Sequence, residues 1–204
     1  MKTVLIIKLL TIKTQKNETF KKIVDCYYYT TFISSCSDDD TPVIINEEEV
    51  ITTMTVTLTP STGGSAIILK TQDLDGDGPN APVVTVSGNL AASTVYSGAI
   101  ELLDELDPND VEDITEEVKE EDDEHQFFFS ATNAIATFDY NDEDDDGNPI
   151  GLSFTLTTGA SGTGTITVTL IHEPLKNASG VSEGNIENAG GEEDIVATFP
   201  VTVQ

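Results

Sequence analysis

The sequence predicts an all-β fold, an antiparallel β-sandwich, on three observations. Apolar residues and threonine alternate with period two in one run after another beyond Val50. Gly, Asn, Asp and Pro punctuate these runs at short intervals, as turn residues do. An apolar fraction of 38% in 204 residues supports one core rather than several. An immunoglobulin-like topology is compatible with such a strand set, and a closed barrel is the alternative.

The elements follow in order. Val50, Thr52, Met54, Val56 and Leu58 alternate with Ile51, Thr53, Thr55, Thr57 and Thr59, the pattern of a half-buried strand. Thr62, Gly63, Gly64 and Ser65 make a turn, and 66–71 is the return strand. The same reasoning predicts strands at 83–86, 94–103, 126–140, 152–157, 163–171 and 195–203, about eight in all. Within 109–122, Val111, Ile114 and Val118 share one helical face after Pro108, which favours a short helix or irregular crossover. The acid density there also suits a bent edge strand or a loop. The runs from Ile67 and from Ala136 each read strand, Asp-rich loop, Pro, strand, Gly turn, strand, which suggests a duplicated three-stranded unit.

Charge is distributed unevenly. Nine lysines, no arginine and 37 acids give a net charge of −28. Only three lysines face 35 acids from Cys36 onward, a net −32. Such a domain repels nucleic acid and anionic membrane surfaces, and attracts cations and basic partners. Solubility through negative charge is the plainer account.

The N-terminal region predicts an address. Lys21 and Lys22 precede a short, Tyr-rich apolar stretch at 23–33, interrupted by Asp25. Ile33, Ser34, Ser35 and Cys36 resemble a bacterial lipobox, in which the Cys is acylated and becomes the first mature residue. Residues 1–35 are thus a leader, 36–49 an acidic tether and 50–204 the β-sandwich domain. Residues 1–20 lie ahead of this leader, and 4–12, split by Lys8, is an alternative apolar core. Val43, Ile44 and Ile45 form a candidate edge strand within the tether, while Glu47, Glu48 and Glu49 read as solvated. Ser37, Asp38, Asp39 and Asp40 resemble the acidic stretch after the lipidated Cys of Bacteroidetes lipoproteins, which is associated with export to the outer face of the outer membrane. No apolar run reaches the ~18 residues of a membrane-spanning helix, so the expected attachment is the lipid alone. With Cys26 removed and Cys36 acylated, the mature domain has neither thiol nor disulfide.

Two constellations carry chemistry. The pattern D-x-D-x-D-G occurs at Asp73, Asp75, Asp77 and Gly78, and again at Asp142, Asp144, Asp146 and Gly147. Alternate carboxylates before a Gly can converge on calcium, which takes six to eight oxygens. The EF-hand glutamate at position 12 is missing: Val84 and Ser153 stand there. Hairpin-turn chemistry alone also explains both loops. The only histidines, His125 and His172, sit at the entry and the exit of strands beside Glu124 and Glu173. If those strands are antiparallel neighbours, both imidazoles can share zinc or copper with a carboxylate from Glu124, Glu173, Glu116 or Glu117. Two unrelated surface histidines are the alternative.

No nucleophile elbow, phosphate loop or dinucleotide fingerprint is present, so binding rather than catalysis is expected. The long stretch after His172 reads as a loop of the kind that carries binding surfaces.

The runs 72–82, 123–129, 147–151 and 172–174 resemble a functionally uncharacterised group of Bacteroidetes, mainly flavobacterial, lipoproteins, a likeness that extends over 47–204. Some members bear the name of a type 1 periplasmic-binding fold, an α/β domain that the strand pattern here contradicts. The resemblance implies a cell-envelope role beside an outer-membrane receptor for uptake, and no catalytic residues. The expected function is capture of a metal ion or small cationic ligand. The alternative is a calcium-stabilised structural or adhesive module that binds a protein or glycan.

Overall fold

Alternation in the Thr-rich run places Met54, Val56 and Leu58 on one face of β1 (Thr53–Pro60), where all three are buried. The computed structural model describes residues 49–204 apart from Asp77. The leader, Cys36, the tether before Glu49 and the candidate strand at Val43, Ile44 and Ile45 lie outside these described residues.

After β1 come β2 (Ile67–Gln72), β3 (Val83–Val86), β4 (Val95–Asp104) and the two-residue β5 (Glu112–Asp113). Helix α1 (Ile114–Glu120) follows, then β6 (His125–Ala131), β7 (Ala136–Tyr140), β8 (Ser153–Thr158), β9 (Gly162–His172) and β10 (Glu192–Val203). A seven-stranded sheet has the order β3-β2-β1-β4-β8-β7, with β5 beside β4, and a three-stranded sheet has the order β10-β9-β6. Every named pairing is antiparallel. Met54, Leu102, Phe154 and Leu156 of the large sheet share one core with Phe127, Leu170 and Phe199 of the small one. Each such side chain contributes about 1.5–3 kcal/mol on burial.

The architecture is therefore an open antiparallel sandwich and not a barrel. Its strand order does not establish the immunoglobulin topology that the sequence allows. In each candidate repeat the first two strands pair, β2 with β3 and β7 with β8. The third strand then differs: β4 lies in the large sheet and β9 in the small one. The likeness between the repeats ends at the hairpin.

Three elements refine the sequence reading: two depart from it, and the segment 109–122 contains the short helix it favoured. The single strand expected over 126–140 is two strands in two sheets. A 3₁₀ turn at Thr132–Ala134 separates them, with Asn133 and Ala134 at φ of 57° and 52°. Asn accepts the left-handed region more readily than most residues, and its Nδ2 donates to the Thr163 carbonyl at 2.9 Å. The chain thereby crosses from β6 in the small sheet to β7 at the edge of the large one. Second, the ambiguous 109–122 segment contains β5 and then α1. The Asp113 side chain caps α1 by accepting from Thr115 N at 3.1 Å, and Ile114 and Val118 are buried beneath it. Third, the loop after β9 is partly structural. Its Val181 and Ala189 pack with Phe128 and Ile171 in a second apolar cluster, on the face of the small sheet turned away from the main core.

Candidate metal centre

The two histidines meet because β6 and β9 pair antiparallel with His125 opposite His172. Phe127 and Leu170 belong to the main core, whereas Phe128 and Ile171 belong to the second cluster. Strand alternation then turns His125 and His172 to the inner side, at the end of the small sheet. Their ring centroids are 4.7 Å apart, and their exposures are 0% and 5%.

Two carboxylates join them. Glu49 precedes β1 and places Oε1 3.1 Å from His125 Nε2 and Oε2 3.3 Å from His172 Nδ1. Asp194 places Oδ2 3.9 Å from His125 Nε2 and Oδ1 3.7 Å from His172 Nδ1. Both acid side chains are buried, at 4% and 0% exposure. Asp194 reaches this position through a β-bulge. The ladder passes from Glu193 opposite Ile171 to Ile195 opposite Leu170, so Asp194 is the extra residue. A bulge lets two successive side chains serve the same face. Here Ile195 packs on the core while Asp194 joins the histidines.

Hydrogen bonding fixes the ring orientation. His125 Nδ1 lies 3.0 Å from the carbonyl of Glu121, the C-terminal cap of α1. A carbonyl only accepts, so Nδ1 carries a proton and Nε2 faces Glu49. On a neutral ring that Nε2 is a lone pair aimed at a carboxylate oxygen, which is repulsive. Either a proton on Nε2 or a cation between the groups removes the repulsion. Burial alone lowers the His125 pKa, but the Glu49 hydrogen bond, the Glu121 carbonyl and the charges of Glu49 and Asp194 outweigh it and hold the pKa above 6.5. Burial likewise pushes Glu49 up, and the hydrogen bond and charge of His125, with a backbone hydrogen bond and His172, hold it below 4.5. Glu117 on α1 is raised by burial first and then by the charges of Glu49, Glu121 and Glu112. The potential here is negative.

This arrangement can hold a metal ion. Glu49, His125, His172 and Asp194 each offer a ligand atom, all within 4.8 Å of one another. A tetrahedral zinc site with bonds of about 2.0–2.1 Å has ligand–ligand edges of roughly 3.3 Å. The nitrogen–oxygen distances of 3.1–3.9 Å bracket that edge. Two carboxylates and two neutral imidazoles carry the charge that one divalent ion cancels. Glu49 Oε2 is buried and makes no hydrogen bond among the described residues, although it lies 3.3 Å from His172 Nδ1.

The residues expected from the sequence are divided differently. His125 and His172 come together as expected, but they are buried and are not surface histidines. Glu124 and Glu173 do not share a group with His125. They form a second, outward group with His172, whose Nε2 is 3.8 Å from Glu124 Oε2. Glu116 pairs with Lys119 at 2.6 Å on the exposed side of α1. Glu49, read as part of the solvated tether, is half-buried as a residue, and its side chain is buried in the inner group.

The Asp loops have other partners. Asp142 accepts from the backbone N–H of Gly151 and Ser153, both at 2.7 Å. Asp144 accepts from the N–H of Asp146 and Asn148, and from Lys176 Nζ at 3.0 Å. The Lys176 ammonium is buried and also donates to the Asp122 carbonyl. Burial pushes the Asp144 pKa up, but its amide and Lys176 partners hold it below 3.8. Turn chemistry and one lysine account for the bonds of that loop. In the first loop Asp75 accepts from the side chain and backbone N–H of Asn80, and Asp77 lies outside the described residues. Among the described residues neither loop forms a group of three or more metal-ligand side chains.

No family model matches the chain, and no curated protein or solved structure matches it.

Proposed function

We propose that this chain is a lipid-anchored protein of the bacterial cell envelope whose sandwich binds a divalent transition-metal ion at Glu49, His125, His172 and Asp194. One observation carries the metal reading. Two imidazoles and two carboxylates converge inside the protein with the spacing and charge of a tetrahedral site. The donor set of two nitrogens and two oxygens suits zinc or copper better than calcium, which prefers oxygen alone. The envelope address rests on Cys36 and its surrounding lipobox, and on the likeness to Bacteroidetes lipoproteins.

The protein works by binding, not turnover. All four protein donors of the inner group are buried, the pattern of a closed site that retains its ion. A position beside an outer-membrane uptake receptor fits an acidic domain that concentrates cations at the cell surface.

Titration calorimetry on the full chain with zinc, copper and calcium tests this reading. The expected result is one zinc or copper ion per chain, lost in the His125→Ala, His172→Ala double variant, whose fold is checked by circular dichroism. Absence of zinc and copper binding to the unaltered chain would overturn it. Binding of calcium alone would leave the structural-module reading in its place.

A further inference from the structure

His172 has two ring nitrogens, and both face carboxylates. Nδ1 faces inward to Glu49 at 3.3 Å and Asp194 at 3.7 Å. Nε2 faces outward to Glu124 at 3.8 Å. Glu173 completes the outer group, with its ligand atom within 4.8 Å of those of Glu124 and His172. His172 is the one residue common to the two groups.

We propose that Glu124, Glu173 and Nε2 of His172 form an outer position through which a divalent cation enters and leaves the buried site. The proposal rests on the inner group being a metal site. Exposure rises steadily along the route. The side chain of Asp194 is 0% exposed, that of Glu49 4%, of His172 6% and of Glu124 43%, and Glu173 is an exposed residue. No donor of the inner group is open to solvent, so a hydrated ion cannot meet four of them at once. It sheds its water in steps, and each step needs a replacement oxygen or nitrogen. The outer carboxylates supply those oxygens at the surface. Shared His172 links the two positions: the proton that Nδ1 carries while Nε2 holds the ion passes to Glu49 and on to solvent, Nε2 takes a proton from solvent as the ion leaves it, and Nδ1 is then open to the ion.

The backbone holds the outer pair in place. The N–H of Glu173 donates to the Glu124 carbonyl at 2.7 Å, which extends the β6–β9 ladder one step beyond the histidines. Glu173 adopts φ of 49°, so the strand ends there and the chain turns away. The two carboxylates stay beside His172 rather than following the loop.

An entry position changes rates and not the end state. Removing it raises the barrier equally in both directions, so loading and release slow by the same factor and affinity is unchanged. The test uses the full chain and cobalt(II), whose visible absorption reports tetrahedral coordination, with loading followed by stopped flow and release driven by a chelator. In Glu124→Gln, Glu173→Gln, loading slows by on the order of tenfold, the range that local electrostatic focusing governs. Release slows equally, and the final spectrum is that of the unaltered chain. A charge-matched control, Glu101→Gln with Asp139→Asn, removes two exposed acids from strands of the large sheet and keeps the original rates. Unchanged loading in the outer variant, or equal slowing in the control, overturns the proposal. Faster release with weaker affinity also overturns it, because it makes these acids ligands of the resting ion. Failure of the unaltered chain to bind cobalt or zinc at all removes the metal reading itself, a result distinct from the others.

Discussion

With Nδ1 of His125 held by the Glu121 carbonyl, its Nε2 and Glu49 depend on a positive partner between them. Asp194 adds a second negative charge to the same space, so it matters more to a divalent ion than to a single proton. Asp194→Asn keeps the shape and removes that charge. It is expected to weaken zinc binding by at least about tenfold, the lower end of what removing even an outer partner costs. Chelator competition measures it, and an unchanged affinity would take Asp194 out of the site. The histidines were legible in the sequence because they are the only two and both mark strand ends. Glu49 and Asp194 were not. Glu49 closes a run of three glutamates that has the composition of a solvated tether, and Asp194 is one of 37 acids. Composition names no particular carboxylate when so many are present, and only the fold says which are buried.

Elements position the site through their irregularities. The bulge in β10 can be removed without altering the alternation on either side, because Glu193 faces Ile171 and Ile195 faces Leu170 already. Deleting Asp194 therefore leaves a regular ladder. The deletion variant is expected to melt cooperatively and to lose zinc-dependent stabilisation, which differential scanning calorimetry with and without zinc reports. Retained stabilisation by zinc would show that the bulge serves something else. Gly191 fixes where β10 begins. It sits at φ of 70°, and a Cβ there would strike the carbonyl of His172. Gly191→Ala is expected to destabilise the fold by at least the ~1–3 kcal/mol of a strained backbone position, read as a lower denaturation midpoint. Neither irregularity has a period-two signature. Apolar alternation continues on both sides of the crossover at Thr132–Ala134, and only Asn133 hints at a left-handed turn there. In contrast, regular runs such as β1 and β8 were readable because alternation and burial coincide in them.

At the scale of the molecule, a heavily acidic domain holds its few buried cationic groups against specific acids. Lys176 and Asp144 form one buried pair at 3.0 Å. Lys176→Met strands the Asp144 charge and is expected to cost about 3–5 kcal/mol in urea unfolding; a negligible change would mean that solvent replaces the ammonium freely. The metal centre makes a second, pH-dependent contribution whose sign depends on occupancy. In the metal-free protein His125 is raised above its unfolded value of 6.5, so its stabilisation is complete below that value and fades as pH rises through the folded pKa. Glu49 is lowered from 4.5, so its stabilisation is complete above that value and fades as pH falls through the folded pKa. The two together give a metal-free stability plateau between the unfolded values. A zinc ion takes the place of the proton on Nε2, so its binding strengthens as pH rises. Melting temperatures from about pH 5.5 to 8.5 are thus expected to fall in chelator, while the gain on adding zinc grows. His125→Gln flattens the chelator curve. Parallel curves with and without zinc would separate the ion from His125 and place it elsewhere in the protein.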